Sequence, residues 1–119
     1  HNGIDSAKVM EVVCRDTRLN ISSYYMKPGN PFGGSCLPKD VSALRAFCRQ
    51  AGVTAPLLES VLPSNDAHLD ALLSRLTESG KRQVLILGLA FKSNTDDLRG
   101  SPMVSVAASL LGRGYDLSI

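Results

Sequence analysis

A cysteine that follows two glycines and precedes a proline is the first candidate for chemistry in this chain. Cys36 lies in the segment Pro31-Phe-Gly-Gly-Ser-Cys-Leu-Pro-Lys-Asp40, where the glycines free the backbone to turn tightly and let a ligand approach. Pro38 suits the first turn of a helix, because its missing N–H would have no partner there. The free N–H groups of a helix start and the nearby Lys39 ammonium both stabilise negative charge on sulfur. The pattern is typical of a nucleophilic cysteine, but many Gly-Gly-Ser turns and helix-start cysteines have no catalytic role.

A helix must follow this cysteine to place it as described. Residues 40–52 carry apolar side chains at helical spacing, and Gly52 is a natural stop. Another helix is predicted nearer the amino end, over residues 8–18, with Ser6 as its cap.

A long leucine-rich stripe from residue 57 to residue 80 also has helical spacing. Pro63 interrupts it. Because a proline inside a helix removes a hydrogen bond and clashes with the preceding turn, we expect a kink or a break near Leu62.

The carboxyl end of the chain predicts the start of a parallel α/β unit. Residues 84–91 form a continuous apolar run, which indicates a buried strand, and a polar loop follows over residues 92–100. Pro102 begins a helix, and residues 115–119 begin a second strand. The predicted fold is therefore mainly α over residues 1–80, followed by an incomplete parallel α/β, Rossmann-like unit over residues 81–119.

Composition excludes several classes of function. A net charge of +2 and the absence of a basic stripe argue against nucleic-acid binding, and no apolar run is long enough to span a membrane. Cys14, Cys36 and Cys48 form no C-x-x-C pair, which favours the reducing cytoplasm over a disulfide scaffold. His1 and His68 are too few and too isolated for a metal site, and His68 is expected on a helix surface.

Four segments occur in an order that resembles a known enzyme family. They are residues 20–29, 32–41, 88–92 and 95–99, with the sequences NISSYYMKPG, FGGSCLPKDV, GLAFK and TDDLR. Together they resemble the UDP-glucose/GDP-mannose dehydrogenase family, which oxidises the C6 alcohol of a nucleotide sugar to an acid. The Tyr-Tyr loop and Leu37, where the UDP-glucose branch usually has an aromatic residue, favour the GDP-mannose branch. UDP-glucose stays the alternative.

The resemblance implies a role for each matching residue. Cys36 and Asp40 would be catalytic, Lys39 and Arg99 would contact the NAD cofactor, and the substrate contacts would come from Asn20, Tyr24, Tyr25, Lys27, Gly33 and Lys92. A Tyr-Tyr-x-Lys loop is able to hold a phosphorylated sugar by itself, through phenol hydrogen bonds and an ammonium. The family more typically has arginine where this chain has Lys27, so the bidentate fork is lost. Asp96 and Asp97 could form a carboxylate pair, but with no second catalytic group nearby they are expected to cap the loop or to form ion pairs beside Arg99.

The same resemblance implies a mechanism and an assembly. Two hydride transfers to NAD would proceed through a thiohemiacetal and a thioester on Cys36, with Asp40 as the candidate for positioning water or moving a proton. The NAD-binding domain would lie before the first residue, so the chain alone is expected to be inactive. The long central helix would build a homodimer, in which the incomplete unit favours exchange of elements between chains. Supply of a uronic acid for an exopolysaccharide follows only from the family.

Two other functions remain open from the residues alone. A thiol hydrolase would need a histidine against Cys36, and only His1 and His68 are available. A purely structural helical dimerisation module, in which Cys36 is incidental, would need no chemistry.

Overall fold

Helices dominate the chain, as the spacing of its apolar residues predicts. The computed structural model describes residues 3–18 and 22–119, apart from the side chains of Tyr24 and Tyr25. Within those ranges, the helices are α1 (Ser6–Val13), α2 (Leu37–Gln50), α3 (Pro56–Glu78) and α4 (Pro102–Gly112), the strands are β1 (Gln83–Leu85) and β2 (Asp116–Ser118), and one 3-10 turn covers Ser23–Met26. The predicted fold class, a helical region followed by the start of a parallel α/β unit, is confirmed.

The helix after the cysteine is confirmed, but it begins at Leu37, before the predicted stretch 40–52, and ends at Gln50, just before the predicted stop at Gly52. Cys36 is the N-cap residue of α2, and Pro38 lies in its first turn. Asp40 in the first turn and Arg49 in the last turn both complement the helix dipole. Gly52 lies just beyond the end with a φ of 67°, a conformation that favours glycine. The sequence therefore places the thiol at the positive end of a helix.

The first helix differs from its prediction at both ends. Its cap is Asp5 rather than Ser6, because the Asp5 carboxylate accepts a hydrogen bond of 2.9 Å from the Ala7 N–H. It ends at Val13 rather than near residue 18. Beyond Cys14, the N–H groups of Arg15 and Asp16 donate to the carbonyls three residues back, Val12 and Val13, which tightens the chain into turns.

The long helix α3 runs unbroken through Pro63, so of the predicted kink or break the break is wrong, and the kink stays a prediction. Proline cannot donate to the Glu59 carbonyl four residues earlier, and this loss is local. Contacts outside the helix hold the segment on both sides of the proline. Before the proline, the Glu59 carboxylate pairs with Arg45 at 2.7 Å and with Arg49 at 2.6 Å, both on α2. After it, the Asn65 side chain accepts a hydrogen bond from the Phe32 N–H at 2.8 Å. Tertiary contacts thus override the propensity of one residue.

The strands form a two-stranded parallel sheet with α4 as the crossover. Gln83 lies opposite Asp116 and Leu85 opposite Ser118, so the predicted β-α-β order is confirmed. The first strand is shorter than the predicted run over residues 84–91. After Ile86 donates to Ser118 at 2.9 Å, Gly88 adopts a φ of 87° and the chain leaves the sheet.

A small core joins the carboxyl half of α3 to the α/β unit. Leu73 of α3 packs against Val106, Leu110 and Tyr115, and Leu110 is fully buried. Arg82 lies 4.9 Å from the centre of the Tyr115 ring and covers its outer face. The core therefore fixes α3 relative to the loop that precedes α4. Across the described residues, none of the helices combines the length and the apolar character that crossing a bilayer requires.

Candidate functional site

Residues 31–36, here called the cysteine loop, cross from the side of α3 to the start of α2. Pro31 and Gly34 are buried, whereas Cys36 is exposed at the loop's end. The Cys36 side chain makes no capping hydrogen bond to α2, and its sulfur lies 3.9 Å from the Ser35 hydroxyl. The thiol is consequently open to a ligand at a helix N-terminus.

The two glycines of the cysteine loop are required by close packing. A Cβ on Gly33 would overlap the Gly100 carbonyl oxygen and the Pro102 ring. Gly34 has a φ of 87°, and a Cβ there would lie 2.8 Å from the Phe91 ring. The Gly34 N–H donates to the Gly100 carbonyl at 3.0 Å. These contacts seat the cysteine loop directly on the loop that links β1 to α4.

Asn65 of α3 holds the cysteine loop from its other side, and the sequence analysis missed it. Its side-chain oxygen accepts from the Phe32 N–H at 2.8 Å, and its amide nitrogen donates to the Phe32 carbonyl at 2.9 Å. A signal was available in the sequence, because Asn65 interrupts the apolar stripe of α3 between Leu62 and Leu69. A polar side chain on a buried face needs a hydrogen-bond partner.

Arg99 is held in place by Asp97 in the loop before α4. Two bonds of 2.9 and 2.8 Å join the guanidinium to the carboxylate, and the Arg99 N–H adds a third of 3.0 Å. These hydrogen bonds lower the pKa of Asp97 from 3.8 to about 2. They also raise the pKa of Arg99, as does the charge of Asp97 and, to a lesser degree, that of a Cys36 thiolate. The expected pairing of Asp97 with Arg99 is confirmed.

Lys92 lies in the same region as Arg99. Its ammonium stands 5.6 Å from the centre of the Phe91 ring, the ring that Gly34 contacts. Its positive charge also contributes to the low pKa of Asp97. The glycine contacts therefore place two exposed cations beside the cysteine loop, an arrangement that can hold an anionic ligand near the thiol.

Lys39 and Asp40 form an exposed pair in the first turn of α2. The ammonium lies 3.3 Å from the carboxylate, and their side chains are 70% and 66% exposed. An exposed pair of this kind is weak, so either group is available to a ligand.

Comparison with known proteins assigns the chain to a family. Residues 1–67 match the UDP-glucose/GDP-mannose dehydrogenase family, central domain, and residues 85–119 match the same family's UDP binding domain. The chain belongs to the UDP-glucose/GDP-mannose dehydrogenase family. The resemblance read from the sequence is thereby confirmed, and the chain is part of an oxidoreductase family.

Relatives from both branches of the family match nearly the whole chain. It is 50% identical over 117 residues to GDP-mannose 6-dehydrogenase of Azotobacter vinelandii, covering 98% of this chain and 27% of that protein. It is 38% identical over 112 residues to a UDP-glucose 6-dehydrogenase of Bacillus subtilis, covering 91% of this chain and 24% of that protein. The chain thus spans about a quarter of the length of the curated relatives that it matches.

Solved structures give the same assignment. The chain aligns with a ternary complex of GDP-mannose dehydrogenase from Pseudomonas aeruginosa at 49% identity and a TM-score of 0.80, covering 98% of this chain and 27% of that one. It aligns with a UDP-glucose dehydrogenase from Pyrobaculum islandicum at 39% identity and a TM-score of 0.85, covering 97% and 27%. The fold of this chain is therefore common to both branches, and its identity is higher to this GDP-mannose dehydrogenase than to this UDP-glucose dehydrogenase.

Four of the expected substrate residues are not described beside the cysteine loop. Asn20 and the side chains of Tyr24 and Tyr25 lie outside the described residues. Lys27 is exposed and lines a crevice with Met10 and Cys14. Among the described residues that line this crevice, none belongs to the cysteine loop. The structure thus brings together the Cys36, Gly33, Lys92 and Arg99 regions, while Lys27 lies against α1.

His68 does not serve Cys36 as a base in the described part of the chain. It is exposed on α3, as the sequence predicts, and makes no hydrogen bond with the thiol. It lines a groove with Phe32 and Leu57 instead. The thiol-hydrolase alternative therefore lacks its base among these residues.

Proposed function

We propose that the chain is the central part of an NAD-dependent nucleotide-sugar 6-dehydrogenase that oxidises GDP-mannose to GDP-mannuronate, with Cys36 as its nucleophile. The observation that carries the proposal is the seating of the cysteine loop on the Lys92–Arg99 side of the next loop. An exposed thiol at a helix N-terminus, on a loop that packs against the segment carrying two cations, suits covalent chemistry on a phosphorylated substrate. The membership of the family supports the class of reaction.

The residues near Cys36 suit NAD in their chemistry. Arg99 is 80% exposed, yet Asp97 fixes its guanidinium, so a cation is presented in a defined orientation. An arginine whose guanidinium is held in one orientation is well suited to binding a diphosphate. We assign Arg99 and Lys39 to cofactor contacts; NAD, when bound, accepts hydride at each of the two oxidations.

Cys36 carries the covalent steps between those oxidations. Its sulfur attacks the C6 aldehyde, a C–S bond forms, and the aldehyde oxygen takes a proton to give a thiohemiacetal. Loss of hydride from C6 and of the hydroxyl proton turns the adduct into a thioester. Water then adds to the thioester carbon, the C–S bond breaks, and the thiol and a carboxylate are released. We assign the positioning of water, or the transfer of a proton, to Asp40.

Substrate contacts are assigned to residues on both sides of the cysteine loop. Lys92 would meet the phosphate charge of the nucleotide sugar, and Gly33 is assigned a substrate contact through its backbone. Further contacts are assigned to Asn20, Tyr24, Tyr25 and Lys27. Identity of 50% to GDP-mannose 6-dehydrogenases, against 38% and 41% to UDP-glucose 6-dehydrogenases, supports the choice of GDP-mannose.

The complete protein is proposed to be a cytoplasmic homodimer whose domains meet near residue 80. Leu57 on α3 is 80% exposed and Phe47 on α2 is 66% exposed. Exposed apolar side chains on packed helices favour a partner surface. A second copy of the chain is the partner that we assign to them.

The test is NADH formation by the complete gene product with GDP-mannose and with UDP-glucose in parallel. We expect two NADH per GDP-mannose, because an alcohol becomes an acid in two oxidations. Cys36→Ser should abolish formation of the acid, and Cys48→Ser, at a half-buried cysteine on the same helix, should retain it.

Three results would change the proposal in different ways. Activity with UDP-glucose alone would keep the mechanism and overturn the substrate. Full activity of Cys36→Ser would overturn the nucleophile. No NADH with either sugar would overturn the reaction and leave the dimerisation module in its place.

A further inference from the structure

We propose that Asn65 is a positioning residue that sets the location of the Cys36 thiol. The inference rests on the proposed function, because it matters for catalysis only if Cys36 is the nucleophile. It concerns a side chain on α3 whose hydrogen bonds, in the described part of the chain, go to Phe32 and not to the thiol, Lys92 or Arg99. Its effect would pass through the backbone of the cysteine loop.

The Asn65 amide is matched to the backbone of Phe32. One side-chain group accepts from the Phe32 N–H at 2.8 Å and the other donates to the Phe32 carbonyl at 2.9 Å. Thirty-three residues separate the two partners in sequence. Only a side chain with a donor and an acceptor on one short amide can satisfy both backbone groups from this position.

Phe32 lies in a segment without regular secondary structure, so its backbone groups have no helix or sheet to bind them. They are half-buried, and a half-buried peptide group without a partner is costly. The two hydrogen bonds between Asn65 and Phe32 thus hold the cysteine loop on the side that faces α3.

The opposite side of the cysteine loop packs closely at its two glycines. Gly33 meets the Gly100 carbonyl and the Pro102 ring, and Gly34 meets the Phe91 ring. The loop is therefore held between α3 and the loop before α4. If the bonds at Phe32 are lost, the glycine contacts alone hold the loop, and we expect its shift to pass along the chain to Cys36, two residues beyond Gly34.

A helix is a more rigid support than a loop, and α3 is anchored by core packing at Leu73. The amide at position 65 therefore transfers the rigidity of α3 to the nucleophile. Displacement of a reacting group by about 1 Å can lower a rate by roughly 100-fold. An effect on kcat, rather than on substrate affinity, is expected.

The experiment compares Asn65→Ala with Ser64→Ala, an exposed neighbour on the same helix, in the complete gene product. For Asn65→Ala we expect kcat for NADH formation to fall by about 10- to 100-fold, with both KM values within about threefold of wild type. The rate of alkylation of Cys36 by iodoacetamide at pH 7 should change by about fivefold or more, because the exposed thiol is displaced from its place at the N-terminus of α2. Ser64→Ala should match wild type in all three measurements.

Asn65→Asp serves as the second variant, because it keeps the size and the acceptor but removes the donor to the Phe32 carbonyl. Its kcat should fall at least fivefold while circular dichroism stays native, and it decides the matter if Asn65→Ala does not fold. Wild-type kcat and alkylation rate in a folded Asn65 variant, with Cys36→Ser inactive, would overturn the positioning role alone. Full activity of Cys36→Ser would instead overturn the proposed function.

Discussion

At the scale of single residues, the site depends on two glycines, because they have no Cβ atom. Gly33 and Gly34 pass within contact distance of Gly100 and Phe91, where any Cβ would collide. The sequence analysis predicted a tight turn at these glycines and a close ligand. It could not predict that their immediate neighbours are Gly100 and Phe91, because that contact joins segments more than fifty residues apart.

Gly33→Ala tests this close approach. The added methyl group would meet a backbone carbonyl and a proline ring, neither of which can move easily, so we expect a loss of about 1–3 kcal/mol in the free energy of unfolding. Gly29→Ala is the matched control, since a Cβ there meets nothing within 4 Å, and it should change stability by less than about 0.5 kcal/mol. Urea denaturation measures both. Equal stability of the two variants would show that the cysteine loop is not packed as described.

The ion pair of Asp97 with Arg99 gives a prediction on pH. The pKa of Asp97 in the folded chain is about 2, below its ordinary 3.8, because Arg99 donates hydrogen bonds to it. A carboxylate with a lowered pKa stabilises the fold at pH values above the ordinary one, and that contribution is lost as the pH falls from about 4 toward 2. Arg99 should therefore stay held by Asp97 throughout the neutral range.

An NMR titration of the Asp97 carboxyl carbon measures this directly. We expect a midpoint near 2 in the wild-type protein and a return toward 3.8 in Arg99→Ala, in which the donors are gone. An unchanged midpoint in Arg99→Ala would mean that another group sets the pKa of Asp97.

At the scale of elements, helix α2 and the crossover helix α4 could be predicted, but the ends of the others could not. Pro38 and Pro102 each mark a helix start, and glycines follow each helix end. Strand β1 ends early because Gly88 turns, and α3 continues through Pro63 because Glu59 and Asn65 are held from outside. Local patterns therefore predict elements well where no distant contact competes.

Pro63→Ala tests the cost of the proline inside α3. Alanine would restore an N–H that donates to the Glu59 carbonyl and would remove the ring clash, so we expect a gain of about 1–3 kcal/mol in unfolding free energy. Pro56→Ala is the control, because Pro56 lies in the first turn of α3, where its missing N–H has no helical partner. Pro56→Ala should give no gain. If Pro63→Ala is no more stable than wild type, Pro63 does not lower the free energy of unfolding.

At the scale of the whole molecule, the candidate site is an assembly of two segments from opposite ends of the chain. The roles that the family resemblance predicts for its residues stay a prediction, and the structure describes Cys36, Lys92 and Arg99 on two segments that contact each other. Asn65 was missed because its role depends on a contact with Phe32 that no local pattern encodes. Lys27 was expected with the substrate residues, and its described neighbours are those of α1.

The apolar residues left exposed predict self-association of residues 1–119 produced alone. Leu57 is 80% exposed and Leu87 is 89% exposed, and the two-stranded sheet has unpaired edges. Light scattering should give a mass of at least twice 12.7 kDa. Leu57→Glu should shift the mass toward the monomer if α3 forms the contact, and a clean monomer of the unmodified chain at high concentration would contradict the expectation.

The central claim is that Cys36 carries the sugar as a covalent adduct. The measurement that tests it most directly is mass spectrometry of the complete gene product, quenched with acid during turnover of GDP-mannose and NAD. The account predicts added mass equal to the acyl form of the nucleotide sugar on the peptide that contains Cys36, removable by hydroxylamine, and no adduct in Cys36→Ser. An adduct on another residue, or turnover by Cys36→Ser at the wild-type rate, would contradict it.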